Sequence, residues 1–173
     1  MWLPGKAAMI SRDRVLELVS YDPDTGVFIR IKSRVRWVGL PAGKLDSQGH
    51  RQILLDRHVY SAHRLAWLVV TGSWPSQEID HKDGNRANNA WANLRLATRV
   101  QNTRNKGCMV TSKTGVKGIC KVNWKGSPRW RVSVNSDTGR HVSHFKCFGQ
   151  AVARAVQLRN EFHGEFVNHG IAA

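Results

Sequence analysis

The sequence predicts a two-domain α+β protein, and three observations carry that prediction. Short β-rich runs punctuated by Gly39, Gly43 and Gly49 occupy the first sixty residues. Between Glu78 and Asn102 come a strand signal, a turn pair, a second strand signal and a capped helix. After Thr114 a strictly alternating strand is followed by apolar residues at helical spacing.

Ser11-Arg12-Asp13-Arg14 opens a short helix with Val15, Leu16, Leu18 and Val19 on its apolar side, and Tyr21 to Gly26 turns the chain. Val27–Ile31, Arg51–Leu55 and His58–Tyr60 read as strands, and Ala62–Val70 reads as a helix that buries Leu65, Trp67, Leu68 and Val69. Glu78-Ile79-Asp80-His81 is a short strand leading into Asp83-Gly84, a tight-turn pair suited to a hairpin. Leu94-Arg95-Leu96 is the returning strand. Thr98-Arg99-Val100-Gln101 fits a capping box, in which Thr98 caps a helix and Gln101 bonds back to the cap's own amide. Composition shifts at Gly107, so the division falls into residues 1–106, a linker at 107–113 and a second domain at 114–170. In the second domain Trp130, Val132 and Val134 alternate with Arg129, Arg131, Ser133 and Asn135, giving one face that packs and one that is basic and polar. A third strand over Val142–Phe148 precedes a helix from Gln150 to His163, whose Ala151, Ala155, Leu158 and Phe162 can cover the apolar face of a three-stranded antiparallel sheet.

Charge narrows the partner. The formal net charge is +15, and from Arg95 to Arg154 thirteen lysines or arginines stand against the single acid Asp137. Such a bias favours an anionic partner, with nucleic acid foremost. An aromatic stacking signature for single-stranded RNA is missing. The apolar run Leu65–Val70 is too short to cross a membrane, and Pro4, Gly5 and Lys6 break any signal-peptide layout over Met1–Ile10, so an intracellular protein is expected. Cys108, Cys120 and Cys147 are widely spaced with no Cys-x-x-Cys pair, which reads as three free thiols, with Cys120 and Cys147 on strands, rather than a zinc knot.

Asp80, His81, Asn93 and Asn102 are spaced so as to build one hydrolytic site. Breaking a phosphodiester needs a base to activate water and a hard cation with oxygen ligands to hold the phosphate. His81 can be the base, and Asp80 with Asn102 can hold the cation. A histidine serves as base when an acceptor holds its other ring nitrogen, and Asn93 is the candidate holder, an asparagine side chain or a backbone carbonyl being the usual choice. An Asp-His pair alone is more often a solvated turn, and Asn85, Asn88 and Asn89 read as turn chemistry around the hairpin. His63 is a candidate active-site neighbour, read as a structural or phosphate-contacting histidine ahead of the alternative, a metal ligand; His50 and His58 lie in turns and carry no special signal.

His63-Arg64-Leu65-Ala66-Trp67, Ile79 to Asn85, Asn88-Asn89, Asn93 to Thr98 and Gln101-Asn102 together resemble the HNH endonucleases of the phage free-standing and homing type. The resemblance implies a ββα-metal nuclease centre, with motif core 61–106 and a β-rich amino-terminal support. It implies hydrolysis of double-stranded DNA, by nicking or double-strand cleavage, with one divalent cation, magnesium or in its place manganese. In that family the roles fall on Asp80 and Asn102 as ligands, His81 as general base and Asn93 as its orienter. Residues 112–168, through Gly115 to Gly118, Trp130-Arg131 and His163 to Phe166, resemble the plant ethylene-response-factor (APETALA-type) DNA-binding domain. That likeness implies a sheet laid in the major groove, read by Arg129, Arg131, Ser133 and Asn135 with help from Lys117, Lys121, Trp124 and Arg140. The first strand departs from the plant pattern at Cys120 and Val122. The expectation is therefore a monomeric, phage- or mobile-element-encoded DNA endonuclease acting in a bacterial cytoplasm without an obligate protein partner. The competing reading is a non-catalytic DNA-binding regulator that keeps the fold.

Overall fold

In a computed structural model, which describes residues 9–32, 38–108 and 112–169, the chain is a mixed α/β protein that divides into two units, residues 1–97 and 98–173. The expected linker at 107–113 lies partly outside the described residues, as does most of Met1–Ile10.

The first unit begins with α1 (Arg12–Leu18), whose N-cap Ser11 accepts the Arg14 amide. Val19, expected on that helix, instead starts β1 (Val19–Tyr21), which pairs antiparallel with β2 (Phe28–Arg30). β-branched Val19 is fully buried on the strand, where its side chain packs without the rotamer loss a helix imposes. β3 (Lys44–Leu45), β4 (Arg51–Leu55) and β5 (His58–Ser61) form a three-stranded antiparallel sheet, with Ile53 opposite Tyr60. The chain then enters α2 (Ala62–Thr71), closed by Gly72 in the left-handed conformation, where glycine carries no side-chain penalty. β6 (Glu78–His81) and β7 (Leu94–Ala97) pair antiparallel. They are joined by twelve residues rather than by a two-residue hairpin, and Asp83-Gly84 forms only the first turn of that loop. Val15, Val19, Phe28, Ile53, Leu55, Leu65, Leu68, Ile79 and Leu94 close one core from α1, the three sheets of this unit and α2.

The second unit opens on α3 (Arg99–Asn105), whose complete capping box joins Thr98 and Gln101 as the sequence predicts. The helix groups with this unit, whereas the expected boundary lies after residue 106. A physical reason lies in Lys117: its ammonium donates to the carbonyls of Thr103, Arg104 and Lys106 at 3.4, 2.8 and 2.6 Å, so it satisfies the open carboxyl end of the helix. β8 (Ile119–Trp124), β9 (Ser127–Ser136) and β10 (Gly139–Phe145) make an antiparallel sheet with β9 central. α4 (Phe148–His163) covers one face, burying Ala151, Ala155 and Leu158 against Ile119, Val132 and Val134. The third strand ends three residues before the expected Phe148, and Cys147 caps α4 instead of lying in a strand. All three cysteines are unpaired.

Candidate active site

β6 buries three residues in succession, Ile79, Asp80 and His81, so two polar side chains leave water together. Asp80 faces Arg95 across the β6–β7 ladder, and its Oδ2 accepts from Arg95 Nε at 2.9 Å and Nη2 at 2.8 Å. Such a pair is costly to break from one side, since the remaining charge stays buried.

His81 ends the strand and the loop behind it is pinned by asparagines. Asp83 Oδ1 accepts from the Asn85 amide and from Asn93 Nδ2, and Asn93 returns a bond by accepting the Asp83 amide at 3.1 Å. Asn93 Nδ2 also reaches the Asn88 carbonyl. The side chain expected to orient His81 thus holds the loop. The residue brought against the ring is Asn89, only 1% exposed, whose Oδ1 lies 3.4 Å from His81 Nε2 while its Nδ2 donates to the Ala87 carbonyl. With Oδ1 presented to the ring, Nε2 carries the proton and Nδ1 keeps the lone pair. Asn85 and Asn88 do what turn chemistry predicts, accepting the amides of Ala87 and Ala90. Two distant groups fix Asn89 from outside the loop: Tyr21 donates its hydroxyl to the Asn89 carbonyl at 2.8 Å, and Gly26, at φ +73°, lies so close that a Cβ there would meet the Asn89–Ala90 backbone at 2.2 Å.

Burial lowers the His81 pKa below the ordinary imidazole value; Asn89, Asp83 and Asp80 act the other way, and Arg86 adds to the lowering. The ring is neutral at pH 7, the state a general base requires.

Two further imidazoles crowd it. His63, the expected neighbour of the site, lies on the first turn of α2 and packs edge-on to His81 at 5.3 Å between ring centroids. Burial, followed by the charges His81 and His50 would carry, holds the His63 pKa down to about 3, and its Nδ1 is buried without a hydrogen-bond partner. His50, for which the sequence suggests no role, lies 5.4 Å from His63 and 6.1 Å from His81. No local pattern marks it, because the cluster forms only when the 46–50 turn folds onto a loop far along the chain. Among the described residues no group of three His, Cys, Asp or Glu side chains is arranged to hold a metal ion.

In the second unit, Asn102 lies on α3. Strand register sorts the expected DNA readers. Arg129, Arg131, Ser133 and Asn135 share one face of β9; Trp124 pairs with Ser127 and Arg140 with Asn135, which puts both on that face too. Trp124 stacks on His144 there, with centroids 4.0 Å apart. Lys121 pairs with Trp130 and so belongs to the opposite face, the one α4 covers, while Lys117 is half-buried with its amine on the α3 carbonyls and its pKa pushed down to about 8, chiefly by burial. Strand parity puts Lys121, though exposed, on the other face from these readers, and the helix end withdraws Lys117 from them.

The HNH endonuclease family model matches residues 60–104, the stretch that holds α2, β6, the asparagine loop, β7 and most of α3. Protein 3.8 of Escherichia phage T7 is 34% identical over 106 residues, which are 60% of this chain and 85% of that protein. An uncharacterized HNH endonuclease of Acanthamoeba polyphaga mimivirus is 36% identical over 137 residues, 79% of this chain and 67% of the relative. Among solved structures, one titled for DNA binding and cleavage by the HNH homing endonuclease I-HmuI aligns over 84% of this chain and 85% of its own, at 22% identity and a TM-score of 0.41, a likeness too distant to carry weight.

Proposed function

The chain belongs to the HNH endonuclease family, and from that premise we propose that it is a metal-dependent endonuclease that hydrolyses double-stranded DNA with His81 as general base. The observation that carries this reading is a buried, neutral imidazole whose Nε2 meets Asn89, next in sequence to a buried carboxylate. His81 takes a proton from water as the water oxygen bonds to phosphorus and the bond from phosphorus to the 3′ oxygen breaks, and the departing oxygen takes up a proton from solvent, leaving 5′ phosphate and 3′ hydroxyl ends.

Asp80 would hold a divalent cation. A carboxylate suits a hard ion such as magnesium, which usually keeps several waters and takes substrate phosphate rather than a full protein cage. When bound, the ion supplies electrostatic stabilisation to the phosphate and the departing 3′ oxygen. Arg95 keeps the Asp80 side chain fixed. Asn93 acts here as the clasp of the loop that carries Asn89.

The exposed sheet face, with Trp124, Arg129, Arg131, Ser133, Asn135 and Arg140 in register, is the proposed targeting surface. One metal site per chain gives a monomer that nicks one strand per encounter, inside the bacterial host of a phage or mobile element. No helix among the described residues is long and apolar enough to cross a membrane.

Supercoiled plasmid tests the proposal. Nicking should require magnesium or manganese and stop on chelation, and Asp80→Asn, which spares Arg95 an unpaired neighbour better than alanine does, should raise the metal concentration needed. DNA binding without nicking under any divalent cation would replace the enzyme reading with that of a regulator.

A further inference from the structure

Three imidazoles lie with ring centroids 5.3, 5.4 and 6.1 Å apart, and the family match, over residues 60–104, takes in His63 and His81 but not His50. His63 is too deeply buried and too strongly held neutral to serve a substrate directly. His50 differs: its side chain is 30% exposed, so it stands at the mouth of the cluster. Its turn is built to hold it. Asp46 Oδ1 accepts the amides of Gln48 and His50 at 2.8 and 2.9 Å, Gln52 donates to Oδ2, and that same oxygen lies 3.8 Å from His50 Nδ1. Arg86, from the β6–β7 loop, donates to the Gln48 carbonyl at 2.9 Å and to its side chain at 3.3 Å, tying the turn of His50 to the loop of His81.

The charged or titratable groups facing His50 are Asp46 on its own turn, Arg86 from the loop, His81 of β6 and His63 of α2. Arg86 is the fixed cation of this corner, and an anion placed beside it and His50 finds a complementary partner. No trio among the described residues suits a metal ion. Burial and Arg86 lower the His50 pKa in the free protein; a phosphodiester oxygen on the Nε2 side, with Asp46 on the Nδ1 side, would raise it again and receive a hydrogen bond from the ring.

We propose that His50 is a further substrate-contacting residue of this centre, donating a hydrogen bond to the phosphodiester beside His81, with Arg86 as the positioning residue that holds the two loops together. The inference rests on the nuclease reading above.

The test is single-turnover nicking of supercoiled plasmid in magnesium, with DNA affinity measured separately in chelator. His50→Ala should slow nicking by about 10²-fold, the size of loss typical when one donor to a developing oxyanion is removed, with affinity little changed. Added imidazole should restore much of the lost rate in His50→Ala, a response that a purely structural role would not give. His50→Gln keeps an N–H at similar reach; it should fall between parent and alanine, and it decides the matter if the alanine variant does not fold. His58→Ala, an exposed histidine outside the cluster, should nick at the parental rate. Parental rates in both His50 variants, or a loss in both that imidazole does not rescue, overturn this proposal alone. A parent that nicks no plasmid with any divalent cation overturns it together with the nuclease reading.

Discussion

At the scale of single residues, the proposed mechanism turns on which side chain holds the His81 ring. Asn89 and Asn93 sit four residues apart in the same loop, yet one meets the imidazole and the other the Asp83 carboxylate. Asn89→Ala should therefore lower kcat by about 10-fold or more through loss of the tautomer, while Asn93→Ala should act mainly on stability by loosening the loop; melting curves beside nicking rates distinguish the two. Motif spacing marks Asp80 and His81, and both lie buried on one strand. It could not rank two asparagines whose roles depend on how the loop folds. His50 was invisible for the same reason. A second prediction concerns His63, whose folded pKa of about 3 lies below the ordinary imidazole value of 6.5 that the unfolded chain shows. Below pH 6.5 the unfolded state takes up a proton that the folded state refuses until about 3, so stability is present above that window and falls as pH drops through it. The slope is up to about 1.4 kcal/mol per pH unit for one proton. Chemical denaturation across that range should show it, and His63→Gln should flatten it; identical slopes would mean that the ring is not kept neutral.

At the scale of elements, local signals worked where the chemistry is local. The capping box of α3, the alternation of β9 and the helical repeat of α4 are all present as read. What the sequence could not show is register between strands, which decides the face each side chain takes: one residue separates Lys121 from the face that presents Arg131. Nor could it show that Lys117 would close a helix end thirteen residues earlier in the chain. Arg131→Ala should weaken DNA binding, by about 1–3 kcal/mol where the contact is bidentate to guanine, without moving the melting temperature. Lys117→Met should do the opposite, losing about 1–2 kcal/mol of stability as α3 carbonyls go unsatisfied. Binding isotherms and melting curves on the two variants check the division, and a Lys117 variant that loses DNA affinity at unchanged stability would contradict it.

At the scale of the whole molecule, the +15 charge predicts binding that is steep in salt. Replacing Arg129 and Arg131 together by alanine should flatten the slope of log K against log salt by about 0.9 for each phosphate of duplex DNA that is no longer neutralised. A double variant with the parental slope would remove the sheet face from the phosphate-binding surface. The proposed function divides two roles, a basic surface that would gather DNA and a histidine centre that would cut it. The measurement that tests this most directly compares parent and His81→Ala on the same supercoiled plasmid in magnesium, with affinity measured in chelator. The proposed mechanism predicts near-equal affinity and nicking slower by about 10²–10⁴-fold in the variant, the usual contribution of a positioned general base. Parental nicking by His81→Ala would contradict it.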